Sequence, residues 1–181
     1  MRIVLASASP RRAALLRQAG HDFEVRPSGV AEWPYAGGEP AAYAEALARA
    51  KAAAIDGGEL VLAADTIVVL ERAVLGKPAD ADAAADMLRR LSGRTHEVIT
   101  AVAVARDGAV RSAHARARIT FRALPDHEVR AYVATGEPLD KAGAYAYQGR
   151  AARFVTEIEG DADTVIGLPL RLVSGLIDAQ L

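Results

Sequence analysis

Two places in the chain combine residue types that chemistry needs. The first is Ser7-Ala8-Ser9-Pro10-Arg11-Arg12. Ser9 suits an N-cap, where its hydroxyl can accept from an amide of the first turn. Pro10 suits the first helical position, where no N–H is needed. A helix N-terminus offers free N–H donors and a partial positive charge, so it favours anions. Here it is dressed with two hydroxyls, Ser7 and Ser9, and two guanidinium forks, Arg11 and Arg12, which grip phosphate oxygens in pairs. The second place is Asp65, inside the apolar run Leu60-Val61-Leu62-Ala63-Ala64-Asp65-Thr66-Ile67-Val68-Val69-Leu70. A buried carboxylate is costly unless something binds it. It can take a proton from water or hold a divalent cation. Each place also has a plainer reading. The first is then a capped helix with solvated arginines, and the second a strand-end aspartate that caps a turn.

A polyphosphate would need more cations, and Lys51 and Lys77 join Arg11 and Arg12 as candidates. Lys51 lies one position past the apolar line of its helix, and on its own it reads as a solvated lysine. Gly76-Lys77-Pro78 is not a Gly-x-x-x-x-Gly-Lys-Ser/Thr phosphate loop, because the upstream glycine and the hydroxyl residue are missing. Arg116, Arg118, Thr120 and Arg122 share one face of a strand, which reads first as an exposed face and second as a phosphate contact. His21, His96, His114 and His127 are scattered, with no His-Glu-x-x-His, and read as surface or core histidines.

The elements that must position these residues alternate. Ile3 to Ala6 reads as a short buried strand, followed by a helix from Pro10 that Gly20 stops. Asp22 to Arg26 alternates as a strand, and Pro40 opens a helix carrying Tyr43, Leu47, Ala50 and Ala54. Leu60 to Leu70 is the strongest buried-strand signal, with a turn at Glu71-Arg72 and a return strand at Val74-Leu75. Asp80 to Leu91 reads as a helix with acids at its start and arginines at its end, complementary to its dipole. Val98 to Ala105 and Ala109 to Arg122 read as two strands joined by an Asp107-Gly108 hairpin turn. Pro125 starts a helix through Val129, Tyr132 and Val133 that Gly136 ends. Residues 136–149 read as a loop near a ligand rather than a core element. Phe154 to Ile158 reads as a strand, and a final helix after Gly167-Leu168-Pro169-Leu170 ends near Leu181. The order is mixed α/β with parallel-type and hairpin connections.

The chain has 181 residues, enough for one domain or two small lobes with a real core. Hydrophobic residues make up 51% and aromatics only 5%, so the core is expected to be aliphatic and small. A formal net charge of −1 argues against nucleic-acid binding through overall charge. The absence of cysteine excludes disulfides, thiolate zinc sites and cysteine nucleophiles. No stretch has the pattern of a secretory signal or the length of a membrane span. A soluble cytoplasmic protein is expected.

Several motifs together resemble one family over nearly the whole chain. They are Leu5-Ala6-Ser7-Ala8-Ser9-Pro10-Arg11-Arg12, Ala64-Asp65-Thr66, Gly76-Lys77-Pro78 and Leu91-Ser92-Gly93-Arg94-Thr95-His96. Asp140-Lys141-Ala142-Gly143-Ala144-Tyr145, Gln148-Gly149 and Gly167-Leu168-Pro169-Leu170 follow in order. The set resembles the Maf family of nucleoside triphosphate pyrophosphatases. The resemblance implies one Maf/ITPase-like unit over residues 1–181. Its fold would be two-lobed α/β, with a long curved mixed sheet flanked by helices and the nucleotide in a cleft between the lobes. It implies hydrolysis between the α- and β-phosphates to monophosphate and pyrophosphate, a divalent metal (Mg²⁺ or Mn²⁺), a homodimer, and no nucleic-acid or membrane partner. Thr66 and the Ala-Tyr-x-x-Gln-Gly pattern at Ala144 to Gly149 resemble the branch that prefers dTTP and UTP. Such an enzyme would keep unwanted nucleotides, modified pyrimidine nucleotides among them, out of nucleic acids, and the resemblance extends to a role in arresting cell division.

By the same resemblance Asp65 matches the catalytic general base, and Arg12, Thr66 and Gln148 match positions tied to substrate choice. Ser7, Arg11, Glu32, Lys51 and Lys77 match positions lining the nucleotide and phosphate site, with Ser9 at the helix start beside them. Glu32 is the second metal candidate after Asp65. Two positions depart from the family pattern. Ala50-Lys51-Ala52 stands where Glu-Lys-Ala is usual, and Tyr147 stands where an aliphatic residue is usual. A rival reading is a nucleotide-binding regulator of septum formation that uses the same pocket without turnover. Another is a structural or dinucleotide-binding α/β module, against which the missing Gly-x-Gly-x-x-Gly after the first strand argues.

Overall fold

The computed structural model describes residues 2–179. In chain order its elements are β1 (Ile3–Leu5), α1 (Pro10–Gln18), β2 (Phe23–Val25), α2 (Pro40–Ala53), β3 (Leu60–Leu70), β4 (Ala73–Leu75) and α3 (Ala81–Leu91). They continue as β5 (Thr95–Arg106), β6 (Ala109–Phe121), α4 (Asp126–Val133), β7 (Val155–Glu159), α5 (Ala162–Ile166) and α6 (Leu170–Asp178). Short 3₁₀ turns at Glu137–Asp140, Ala142–Ala144 and Arg150–Phe154 lie between α4 and β7. The fold is mixed α/β. Seven strands form one mixed sheet in the order β2-β1-β3-β5-β6-β7, with β4 paired to β3. β1 runs parallel to β2 and β3, with Ile3 opposite Phe23 and Leu60, while β4 returns antiparallel to β3 and β7 lies antiparallel to β6.

The chain forms two compact units. The first takes in the chain up to Thr66, Ile99–Ala115 and the chain from Gly167 onward; the second takes in Ile67–Val98 and Arg116–Ile166. In the first unit β1 and the first part of β3 are buried on both faces, as the near-continuous apolar runs require of parallel strands under helices. α2 buries Leu47 together with Ala41, Ala44, Ala48 and Ala52, small residues that let the helix backbone come close.

In the second unit α3 is capped as its acids predict, with the Asp80 carboxylate accepting from the Ala83 amide at 2.8 Å. The few aromatics gather here. Phe121 meets Tyr145 edge-on at 4.9 Å, and Tyr132 meets Phe154 at 5.2 Å. So this core is not purely aliphatic. The segment 136–149 is likewise no simple loop, because Gly143, Ala144, Tyr145 and Ala146 are buried in it. The arginine stripe is an exposed face held by ion pairs, Arg116 to Glu97, Arg118 to Glu159 and Arg122 to Glu128.

Boundaries shift in other places. α2 ends at Ala53, before Gly57-Gly58, and β5 begins at Thr95, three residues ahead of its apolar run. The one-turn α5 has no periodic signal, because five residues are too few to show one. The last turn ends at Asp178, and Leu181 lies outside the described residues.

Candidate active site

β1 ends at Leu5 and the chain turns through Ala6 to Ser9 into α1. The Ala6 amide still bonds the Leu62 carbonyl at 2.8 Å, which anchors this turn to β3. Ser9 occupies the cap position with an extended backbone, yet its hydroxyl makes no capping bond. The turn before it is held instead by Ser7, whose Oγ accepts the Ser9 amide at 3.3 Å. With no bond from Ser9, the first-turn amides of α1 are left without a side-chain cap, the state in which a helix end suits an anion. Arg11 beside them has no carboxylate partner among the described residues.

Successive residues of a strand face opposite sides. On β3 this separates Asp65 from Thr66 and gives each its own partners. Asp65 is 5% exposed, and its Oδ1 accepts from Lys51 Nζ at 2.6 Å. The same ammonium donates to Glu32 Oε1 at 2.8 Å. Lys51 is 8% exposed, so it is not the solvated lysine that its helical position suggests. Burial of both ions makes this pair expensive to form and damaging to break. Lys51 engages only one oxygen of Asp65; Oδ2 makes no hydrogen bond among the described residues.

Thr66 Oγ1 accepts from Arg12 Nη2 at 3.1 Å and lies 2.9 Å from the Thr100 hydroxyl of β5. Arg12 also donates through Nη1 to Ser7 Oγ at 3.2 Å and through Nε to the Gly167 carbonyl at 2.8 Å. One guanidinium thus ties the first turn, β3 and the segment before α6 together. Burial pulls its pKa below the ordinary arginine value; Asp65 opposes that pull, and Arg11 adds to it. Position 167 must be glycine for this contact. Its φ is +116°, and a Cβ there would stand 3.1 Å from Thr66 Oγ1 and 3.4 Å from Arg12 Nε.

The first unit thus holds two hydrogen-bonded groups, Ser7, Arg12 and Thr66 in one and Glu32, Lys51 and Asp65 in the other, which meet where Asp65 and Thr66 are neighbours on β3. Ser9 and Arg11 sit at the start of α1 in the same unit. Lys77 and Gln148 belong to the second unit, and both are exposed there.

Two residues of the site escape a reading by motif. Tyr43, which reads as part of the apolar line of α2, donates its hydroxyl to the Trp33 carbonyl at 2.6 Å and so fixes the segment beside Glu32. Burial, then the charges of Asp65 and Glu32, hold its phenol proton more tightly than usual. Thr100 is fully buried. Its signal was the one that marks Asp65, a polar residue interrupting an apolar run, here Val98 to Ala105.

Among the described residues no group of three or more His, Cys, Asp or Glu could hold a metal ion. Glu32 and Asp65 form a two-carboxylate set around one ammonium. That set fits Mg²⁺, which keeps waters and binds through one or two carboxylates together with substrate phosphates. It does not amount to a cage made by the protein alone. No described helix is long and apolar enough to cross a membrane.

Comparison with known proteins bears on this geometry. The model of a family described as "Maf-like protein" matches residues 2–180. A dTTP/UTP pyrophosphatase of Pelotomaculum thermopropionicum is 51% identical over 97% of this chain and 94% of its own. One from Moorella thermoacetica is 55% identical over 97% and 93% respectively. One from Anaeromyxobacter dehalogenans is 51% identical over 97% and 92%. A solved nucleoside-triphosphatase / dITP/XTP pyrophosphatase from Mycobacterium abscessus is 16% identical over 99% of this chain and 95% of that one, with a TM-score of 0.48, too distant to add to these matches.

Proposed function

The chain belongs to the Maf-like protein family, and on that premise we propose that it hydrolyses nucleoside triphosphates between the α- and β-phosphates, with dTTP and UTP preferred. The observation that carries the reading is the buried Asp65–Lys51 pair reaching Glu32, in the same unit as the uncapped, arginine-bearing start of α1. Relatives that carry the name dTTP/UTP pyrophosphatase at about half identity over nearly the full chain support the substrate class.

The substrate brings four negative charges near neutral pH. Arg11 and the first-turn amides of α1 meet phosphate oxygens. Ser7 Oγ already accepts twice, from the Ser9 amide and from Arg12, so its own hydrogen remains to donate to a phosphate oxygen. A water oxygen attacks phosphorus and the bridging P–O bond breaks. Pyrophosphate leaves and the nucleoside monophosphate remains. Asp65 takes the proton of that water, with Lys51 on Oδ1 holding the carboxylate in place. Glu32 and Asp65 are the residues that would hold Mg²⁺ or Mn²⁺. Such an ion, when bound, neutralises phosphate charge. Arg12 organises the site from behind, and Thr66 reads the pyrimidine edge. The same premise extends to a cytoplasmic homodimer that clears unwanted pyrimidine nucleotides.

The test is a panel of canonical and modified nucleoside triphosphates with Mg²⁺ or Mn²⁺, assayed for pyrophosphate separately from orthophosphate. Pyrophosphate release strongest with dTTP and UTP supports the reading. Tight binding with no release from any triphosphate favours a regulator that uses the pocket without turnover. Orthophosphate as first product would contradict the α–β position.

A further inference from the structure

The three groups that meet at the Lys51 ammonium are not held equally. Lys51 stands on α2 and Asp65 on β3, and both side chains are buried. Glu32 comes from residues 26–39, which form neither helix nor strand, and its side chain is 39% exposed. Backbone in an irregular stretch has more freedom to lose than backbone already fixed in a sheet. The carboxylate of Glu32 therefore needs an anchor that the sheet itself supplies to Asp65.

Tyr43 is that anchor. It stands on α2, about two turns before Lys51. Its hydroxyl donates to the Trp33 carbonyl at 2.6 Å, and the direction is fixed because a carbonyl oxygen only accepts. Lys51 Nζ meets Glu32 Oε1 at 2.8 Å. One helix thus grips two consecutive residues, the first by its side chain and the second by its backbone. The Tyr43 ring also meets Tyr35 edge-on at 5.2 Å, and Tyr35 donates its hydroxyl to the Gly38 carbonyl, so the chain after Glu32 folds back against Tyr43. Burial, then the charges of Asp65 and Glu32, keep the phenol protonated near neutral pH, so the donor is present there.

We propose that Tyr43 is a positioning residue for metal binding: by holding the Trp33 carbonyl it keeps the Glu32 carboxylate where it and Asp65 present oxygens to one divalent cation. The inference rests on the reading of Glu32 and Asp65 as the residues that would hold Mg²⁺ or Mn²⁺. Two carboxylates make a sparse ligand set, so the placement of each matters to affinity. Tyr43 is not one of the ligands; it acts through the backbone of residue 33.

The chain has a single tryptophan, Trp33, next to Glu32, so its emission reports an ion held there. The test titrates Mn²⁺ alone, which quenches a nearby indole, into the wild type, Tyr43→Phe, Glu32→Gln and the double variant, with a thermal melt of each. The saturable part of the quenching gives the affinity, and electron paramagnetic resonance of free Mn²⁺ gives it again without the indole. Phenylalanine keeps the ring and removes only the hydroxyl. The expected result is a rise in the Mn²⁺ dissociation constant of roughly threefold to tenfold in Tyr43→Phe, the worth of about one neutral hydrogen bond. Glu32→Gln should weaken binding too, and Tyr43→Phe should then add nothing, because the carboxylate it positions is gone. An unchanged dissociation constant in Tyr43→Phe overturns the inference, whatever the melt does, and leaves Tyr43 a staple for stability. The same rise in both Glu32 backgrounds overturns it as well, since Tyr43 would then act by another route. If Glu32→Gln binds Mn²⁺ as the wild type does, or the wild type shows no saturable binding, the reading of Glu32 as a ligand falls and the inference with it. Pyrophosphate release from UTP, measured separately, then still decides the proposed reaction.

Discussion

Replacing Lys51 with methionine should destabilise the protein far more than replacing a surface lysine. Lys51 and Asp65 lie 2.6 Å apart with side chains only 10% and 7% exposed. At an effective dielectric constant of about 20 their gross attraction is about 6 kcal/mol. Desolvation of two buried ions consumes most of that, so the pair adds little net stability. The asymmetry appears on removing one partner. Lys51→Met keeps the length and apolar volume of the side chain but leaves the Asp65 carboxylate buried without its cation. That should cost about 3–5 kcal/mol. Glu32 contributes little to this figure, since its side chain is 39% exposed and rehydrates when the ammonium is lost. Asp65→Asn in the Lys51→Met background removes the stranded charge and should recover about 2 kcal/mol or more. The assay is urea unfolding of the wild type, both single variants and the double variant, read as a double-mutant cycle. A cost below about 1 kcal/mol for Lys51→Met, or a double variant no more stable than Lys51→Met alone, would refute the buried-pair reasoning.

Two further predictions concern the second unit. The His96 ring is buried, with Nε2 bonded to the Tyr145 hydroxyl at 2.8 Å. Burial pulls its pKa from 6.5 to about 4, offset only in part by the Arg94 backbone. The folded state therefore binds fewer protons than the unfolded chain between those values. The stability this gives is full above about pH 6.5 and declines by about 3 kcal/mol as pH falls to about 4. Denaturation midpoints at several pH values should show that slope, and His96→Leu should flatten it; an unchanged slope in the variant would place the acid sensitivity elsewhere. Gly143 has φ +68°, and a Cβ there would lie 2.8 Å from Val68 Cγ2. Gly143→Ala should cost about 2–4 kcal/mol from backbone strain and overpacking together. A loss under about 1 kcal/mol in the same unfolding assay would show that Val68 yields.

Much of this architecture is legible in the sequence alone. Leu60 to Leu70 reads as a buried strand and is one, because an unbroken apolar run bounded by turn residues has few other fates. Asp65 stands out there on cost alone. The functional state of Lys51 was not legible. Its helical position is ambiguous, and its partners are 14 and 19 residues away in sequence, so only the fold brings them to one ammonium. Ser9 shows the opposite error. Its type and place are right for a cap, but its hydroxyl makes no capping bond, and residue type alone does not set the rotamer that a cap needs. Tyr145 sits in a segment rich in glycine and charge, which looks like a surface loop. The aromatic cluster around Phe121 draws it inward, and no local pattern announces such a non-local contact. Thr100 carries the same signal as Asp65, more weakly, since a lone threonine in an apolar strand costs little once it is bonded.

The most direct test of the account is pyrophosphate release from UTP by the wild type and by Asp65→Asn, with Mg²⁺ present and folding checked by a melt. Asparagine keeps the size of the side chain and loses its charge and basicity. The account predicts release by the wild type and a loss of at least 100-fold in kcat for a folded Asp65→Asn. Near-normal release by Asp65→Asn would contradict it, because the carboxylate on β3 would then be neither the base nor a ligand that the reaction needs.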